Sequence, residues 1–159
     1  MPDPKLWKSP DLVPTLHYRD LPNAVAFLER VFQFRERIEA RLSWCGGERG
    51  ESWFEWPGGG RAFLELGGAL ISITCAMQDD QAPTPGLVLK IYVDDVEAHF
   101  AHAKSEFARI VVELRDGFWG GRFYRVLDLE DHIWEFSQRG RDLAPDQWKI
   151  PPGHRVGKL

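Results

Sequence analysis

Cysteine is scarce in this chain. Its 159 residues include two, Cys45 and Cys75, in different segments and without CxxC spacing. A disulfide framework and a paired-thiolate metal site are therefore not expected; two buried free thiols in a reducing cytoplasm are. Positive charge is also in deficit. The formal net charge is −4, so the basic footprint of a nucleic-acid-binding surface is missing. No apolar stretch approaches the ~20 residues of a membrane helix, and no apolar run follows a basic start as in a secretory signal. These lacks lead to an expectation of a cytoplasmic protein with neither a nucleic-acid nor a membrane partner. The glycine-rich stretches GGERG (46–50) and PGGG (57–60) lack the following helix that a phosphate cradle requires. Ser72 is not in a nucleophile-elbow context.

What is present is a globular composition, 43% hydrophobic and 28% charged, with 13% aromatic residues and seven tryptophans. Residues 1–11 read as an irregular proline-rich arm and 139–159 as a tail, part of which packs through Trp148 and Ile150. Between them a pattern occurs twice. The first copy, 12–75, starts with the alternating strand LVPTLHY (12–18). Asp20 then caps a helix with Pro22 near its start and Ala24, Phe27, Leu28 and Val31 at helical spacing. Strand-like runs follow at 34–44, at 52–56 with a continuation in 61–66, and at 69–75. After a linker, 76–86, the second copy spans 87–138. LVLKIYV (87–93) is its first strand, Asp95 its cap, and Val96, Phe100, Ala103 and Phe107 mark its helix. Strands at 109–115, 121–127 and 132–137 complete it, with GFWGG (117–121) as a connector. A shift of 75 residues places Val13 on Val88, Asp20 on Asp95 and Phe32 on Phe107. The predicted fold is α+β: two βαβββ modules forming a cupped, mostly antiparallel sheet with helices on the outer face, and the sheets enclosing a cleft.

Period-two alternation assigns side chains to that cleft. Leu16 and Tyr18 belong under the first helix, leaving Val13, Thr15 and His17 for the cleft. Leu89 and Ile91 belong under the second, leaving Val88, Lys90 and Tyr92. Leu70, Ser72 and Thr74 face the cleft from 69–75. Trp134 and Phe136 form a core pair, which turns Glu135 inward. The alternation of 121–127 does not decide which set faces the cleft, so Arg122 and Tyr124 stay unassigned.

The segments LVPTLHYRDLPNAVAFLERVFQF (12–34), LKIYVDDVEAHFAHAK (89–104) and WGGRFYRVLDLEDHIWEF (119–136) together resemble the vicinal oxygen chelate superfamily. That superfamily includes lactoylglutathione lyase, extradiol dioxygenases and bleomycin-resistance proteins. The last segment looks like the superfamily's closing "DPxGH" turn and final strand, here DLEDH, with Leu129 for proline and Asp131 for glycine. Asp tolerates positive φ, so the turn is expected to survive.

The resemblance implies four metal-binding positions, which here are Val13, Ser72, Val88 and Glu135. Two valines donate nothing and a serine hydroxyl is a poor ligand, so no metal and no other cofactor is expected. Glu135 is left with three readings: a partner for Lys90, an anion facing a cationic or hydrogen-bond-donating ligand, or a general base. His99 and His102 are expected on an exposed helix face, and His132 as a turn or core histidine bonded locally. The expected ligand contacts are His17, Lys90, Tyr92 and Glu135 as polar anchors, with Trp119 and Trp53 as flat walls. The resemblance therefore implies a metal-free, small-molecule binding protein of the bleomycin-resistance kind, holding a drug-like, aromatic or cationic ligand by sequestration. A homodimer is implied as well. A glyoxalase-like lyase or isomerase, or a dioxygenase-related enzyme with a non-standard metal site, is the alternative.

Overall fold

The computed structural model describes residues 10–43, 60–75, 86–141 and 143–157. The chain divides into two compact units, Met1–Pro85 and Gly86–Leu159. No helix among the described residues is long and apolar enough to cross a membrane.

The first unit runs β1 (Thr15–Tyr18), α1 (Leu21–Phe32), β2 (Arg35–Glu36), a 3-10 turn (Ile38–Ala40), β3 (Leu42–Ser43), β4 (Gly60–Leu66) and β5 (Ala69–Cys75). The strand order is β1-β5-β4-β2, with β3 also pairing β4; β1 and β5 are parallel and the other pairs antiparallel. Asp20 caps α1 as its position implies, accepting the amide N–H of Asn23 at 3.1 Å. Leu28, Val31 and Phe32 of α1 are buried, as are Tyr18, Leu64, Ile71 and Ile73 of the sheet.

The strand anticipated over 34–44 is not continuous. It breaks into β2, the 3-10 turn and β3. The stretch from Arg35 to Arg41 has charged residues on both faces, so period-two burial cannot hold it flat. Its charges find partners by bending instead. Arg35 and Arg37 both reach Glu65, and Arg41 reaches Glu36. The hydrogen bond from Arg35 holds the Glu65 carboxyl below its ordinary range. The anticipated strand at 52–56 lies outside the described residues.

The second unit runs β6 (Val88–Tyr92), α2 (Val96–Ser105), β7 (Arg109–Asp116), β8 (Arg122–Leu127), β9 (Ile133–Gln138) and a 3-10 turn (Pro145–Gln147). The strand order is β6-β9-β8-β7, with β6 and β9 parallel. Asp95 caps α2 by accepting the Ala98 amide at 2.9 Å. Together the two units give the α+β, twice-repeated strand–helix–strand order read from the sequence.

Two expectations about α2 need correction. Phe107 does not lie on the helix: α2 ends at Ser105, and Phe107 is 93% exposed with φ of 60°. It occupies the left-handed position that Gln33 holds after α1, because α2 spans 10 residues and α1 spans 12. Phe32, its counterpart by the 75-residue shift, is a core residue. His99 is not on an exposed face either. It is 3% exposed and shares a 2.7 Å hydrogen bond with the Tyr124 hydroxyl. Tyr124, Phe136 and Trp134 lie on the sheet face that α2 covers, with the His99 and Phe136 rings 4.2 Å apart. Burial pushes the Tyr124 phenol well above its ordinary pKa.

The turn between β8 and β9 is built on Asp128, whose side chain is fully buried. Oδ1 accepts the amides of Glu130 (2.9 Å) and His132 (3.1 Å), while Oδ2 accepts the Trp134 indole N–H at 3.0 Å. His132 Nδ1 lies 3.0 Å from the same carboxylate, the local bonding expected of that histidine. Asp131 takes φ of 70° where the family pattern has glycine. Substitution of Asp128 by alanine leaves the indole N–H and two amides buried without an acceptor. The expected cost is on the order of 3 kcal/mol, read as a lower urea midpoint with unchanged m-value.

Candidate functional site

On the face of the second sheet opposite α2, antiparallel and parallel register bring three charged side chains into one row, with a serine beside it. Lys90 of β6 is opposite Glu135 of β9, and Glu135 is opposite Arg125 of β8. Ser137 follows two residues on and opposes Phe123 and Tyr92.

The Glu135 carboxylate is 5% exposed. Oε2 accepts from Arg125 Nε at 2.9 Å; Oε1 accepts from the Ser137 hydroxyl at 3.2 Å and lies 3.3 Å from Lys90 Nζ. Of the three readings of Glu135, the pairing with Lys90 is present, and Arg125 and Ser137 join it. A buried carboxylate that collects two cations and a hydroxyl has its desolvation offset and three of its roughly four acceptor positions filled. With both oxygens engaged, the carboxylate has little uncommitted acceptor capacity left for a ligand.

Trp119 closes the other side of Lys90, whose Nζ lies 4.1 Å from the indole centroid and 5.3 Å from that of Tyr92. The connector 117–121 fixes this ring. Gly117 donates its N–H to Gly121 O at 2.7 Å, and Gly120 donates to Gly117 O at 3.1 Å. A Cβ added at Gly117 would lie 2.5 Å from Trp119 Cη2, so the indole folds back over its own turn only because position 117 is glycine. The chain leaving β9 is as tightly held, since a Cβ at Gly140 would lie 1.6 Å from Gly120 O. The tail then returns: Lys149 donates its backbone N–H to Phe118 O at 3.1 Å, and Trp148 packs edge-on to Phe118.

These parts surround a cavity of about 960 Å³, whose lining among the described residues comes from the second unit. Val88, Lys90 and Glu135 form its floor with Phe123 and Arg125, and Phe118 and Trp119 form an aromatic wall. Arg115, Asp116, Lys149 and Pro151 complete its lining. The size suits a small organic molecule. A neighbouring cavity of about 380 Å³ shares Lys90, Phe118 and Trp119 and adds Tyr92, Arg139 and Trp148.

Of the residues expected at the site, Lys90, Tyr92, Trp119 and Glu135 are brought together. His17 belongs to the first unit, where it pairs in register with Thr74; its Nδ1 is buried with no hydrogen-bond partner among the described residues. Trp53 lies outside the described residues. Arg125, Arg115 and Phe123 were missed, as was Ser137 as a partner of Glu135. The signal for Arg125 was available: antiparallel pairing of β8 with β9 across a five-residue turn puts 125 opposite 135. Alternation alone could not find it, because both sets of β8 contain apolar residues.

The family's metal positions can now be tested on their chemistry. Val13 and Ser72 in the first unit and Val88 in the second bring no anionic or imidazole donor. Glu135 has most of its acceptor positions taken by Arg125, Lys90 and Ser137 and sits between two cations that would repel an ion. No group of three or more His, Cys, Asp or Glu side chains among the described residues is placed to hold a metal ion. The residues present do not fit the metal.

A family model described as the glyoxalase/bleomycin resistance protein/dioxygenase superfamily matches residues 14–136. The chain belongs to this superfamily. Among solved structures, TioX from Micromonospora sp. ML1 is 31% identical with a TM-score of 0.61, over 84% of this chain and 98% of TioX. The fosfomycin resistance protein FosX from Listeria monocytogenes is 20% identical with a TM-score of 0.57, over 84% of this chain and 96% of FosX, and shows the shared fold. Among curated proteins, the uncharacterized protein Mb0911c of Mycobacterium bovis is 33% identical over 61 residues. That match covers 38% of this chain and 40% of the relative, so most of the relative's length lies outside it. In this chain the wall position Glu135 is engaged in an ion-pair cluster.

Two outcomes test this geometry. Arg125→Leu leaves Glu135 buried with one cation fewer and is expected to cost about 2 kcal/mol in urea unfolding. The double variant Arg125→Leu/Glu135→Leu recovers most of that loss, because no buried charge remains. Gly117→Ala displaces the indole of Trp119 and shifts its fluorescence maximum while far-UV circular dichroism stays unchanged.

Proposed function

We propose that this chain binds a small, drug-like molecule and holds it without converting it, with no metal at the site. One observation carries the proposal: of the four wall positions where a metal would be gripped, Glu135 alone has a donor of the right kind, and both its oxygens are already engaged. What remains is a cavity of about 960 Å³ with an aromatic wall at Phe118, Trp119 and Phe123 and fixed charges around it, which is what recognition by shape and contact requires. Trp119 and Lys90 are its main anchors, with Tyr92 at the edge.

The fold shared with a fosfomycin resistance protein brings protection against a toxic compound, here by sequestration, into the same proposal. A cytoplasmic homodimer completes it.

Elemental analysis of the purified protein combined with a ligand screen tests the reading. The expected result is less than about 0.1 equivalent of any divalent transition metal, with tryptophan quenching by planar aromatic compounds that are recovered unchanged. A stoichiometric metal whose removal by chelator abolishes turnover of a compound would overturn it in favour of a glyoxalase- or dioxygenase-like enzyme. Sedimentation of the purified protein as a monomer would sink the dimer.

A further inference from the structure

The charge in the cavity runs against the charge of the chain. The protein carries a formal net charge of −4. Among the described residues, the lining of the larger cavity holds four cations, Lys90, Arg115, Arg125 and Lys149, and two carboxylates, Asp116 and Glu135, a surplus of two positive charges. Both carboxylates are already answered. Glu135 is held by Arg125 and Lys90, and Asp116 lies 3.0 Å from Nε of Arg122, which is not part of the lining. Arg115 and Lys149 have no ion-pair partner among the described residues. The Arg115 guanidinium carbon instead lies over the Phe123 ring, 5.3 Å from its centroid. The neighbouring cavity continues the trend, with Lys90, Arg139 and Arg141 and no carboxylate among the described residues.

Two positive side chains on the wall of a cavity, beside a sheet surface whose own anions are neutralised, repel a cation and attract an anion. The rings beside them set the rest of the ligand. Trp119 is half-buried and lines the cavity beside Phe123, whose ring lies 5.2 Å away and tilted by 36° and backs the indole, so Trp119 gives the main apolar surface for a flat group. Resting on the small-molecule reading above, we infer that the ligand is a planar aromatic acid, its ring against Trp119 and Phe123 and its anionic group met by Arg115 and Lys149. This narrows the ligand class and reverses the cationic preference read from the sequence.

Three isosteric probes decide the matter: 2-naphthoate, 2-naphthamide and 2-naphthylmethylammonium, titrated calorimetrically into the full chain. The acid is expected to bind about tenfold tighter than the amide, and the ammonium weakest. Arg115→Gln and Lys149→Gln should each weaken the acid about fivefold or more and leave the amide within about twofold. The inference is overturned, with the binding proposal intact, if the amide or the ammonium binds as tightly as the acid. It is also overturned if the two substitutions weaken acid and amide alike, since they would then act on the shape of the cavity. Absence of binding by all three probes overturns both this inference and the reading it rests on.

Discussion

The buried carboxylate of Asp128 sets the geometry on which the second unit depends. Its oxygens collect backbone and side-chain donors from positions 130, 132 and 134, which closes the turn after β8 and starts β9 at Ile133. With that turn fixed, Leu127 meets Ile133 and every later pair follows in step, including Arg125 with Glu135. A slip of one residue would turn Glu135 under α2 and Trp134 into the cavity. Asp128 holds the Trp134 indole directly, so the same carboxylate fixes the turn and selects the core face. Leu129 and Asp131, which depart from the family pattern, are accommodated because the turn rests on this carboxylate and needs only one left-handed residue.

From that register comes the cluster around Glu135. An acidic residue at a position where relatives grip an ion would be an open ligand if it stood by itself. Here the strands on both sides each supply a cation at the same height, and the carboxylate becomes the centre of an ion-pair network. The network neutralises the floor of the cavity, and the wall cations Arg115 and Lys149 then determine its sign. The aromatic wall is a separate local achievement. A turn with glycine at 117 lets Trp119 lie back onto Lys90, and the returning tail braces Phe118 from behind.

Much of the fold was legible. Asp20 and Asp95, 75 residues apart, cap equivalent helices, and the alternation in 133–138 correctly separated Trp134 and Phe136 from Glu135. Such features depend on near neighbours along the chain, where spacing is an adequate guide. Departures came where a local pattern competed with a distant partner. Residues 34–44 look extended, yet Arg37 is drawn to Glu65, 28 residues away. His99 looks like one member of an exposed pair, yet it is buried against Tyr124 of β8, 25 residues on. Phe107 carries a helical spacing that the shorter α2 does not reach.

The sequence by itself determined the repeated strand–helix–strand order, the helix caps and the residue types, Val13, Ser72, Val88 and Glu135, at the four positions the family resemblance implies, because these are properties of residue type and short-range spacing. Only the tertiary structure decided which charges neutralise one another and which are left facing the cavity. Whether Glu135 meets a ligand or an arginine depends on the register between strands joined by a turn. Coulombic pairing follows distance in space, and no periodicity within a single strand encodes it.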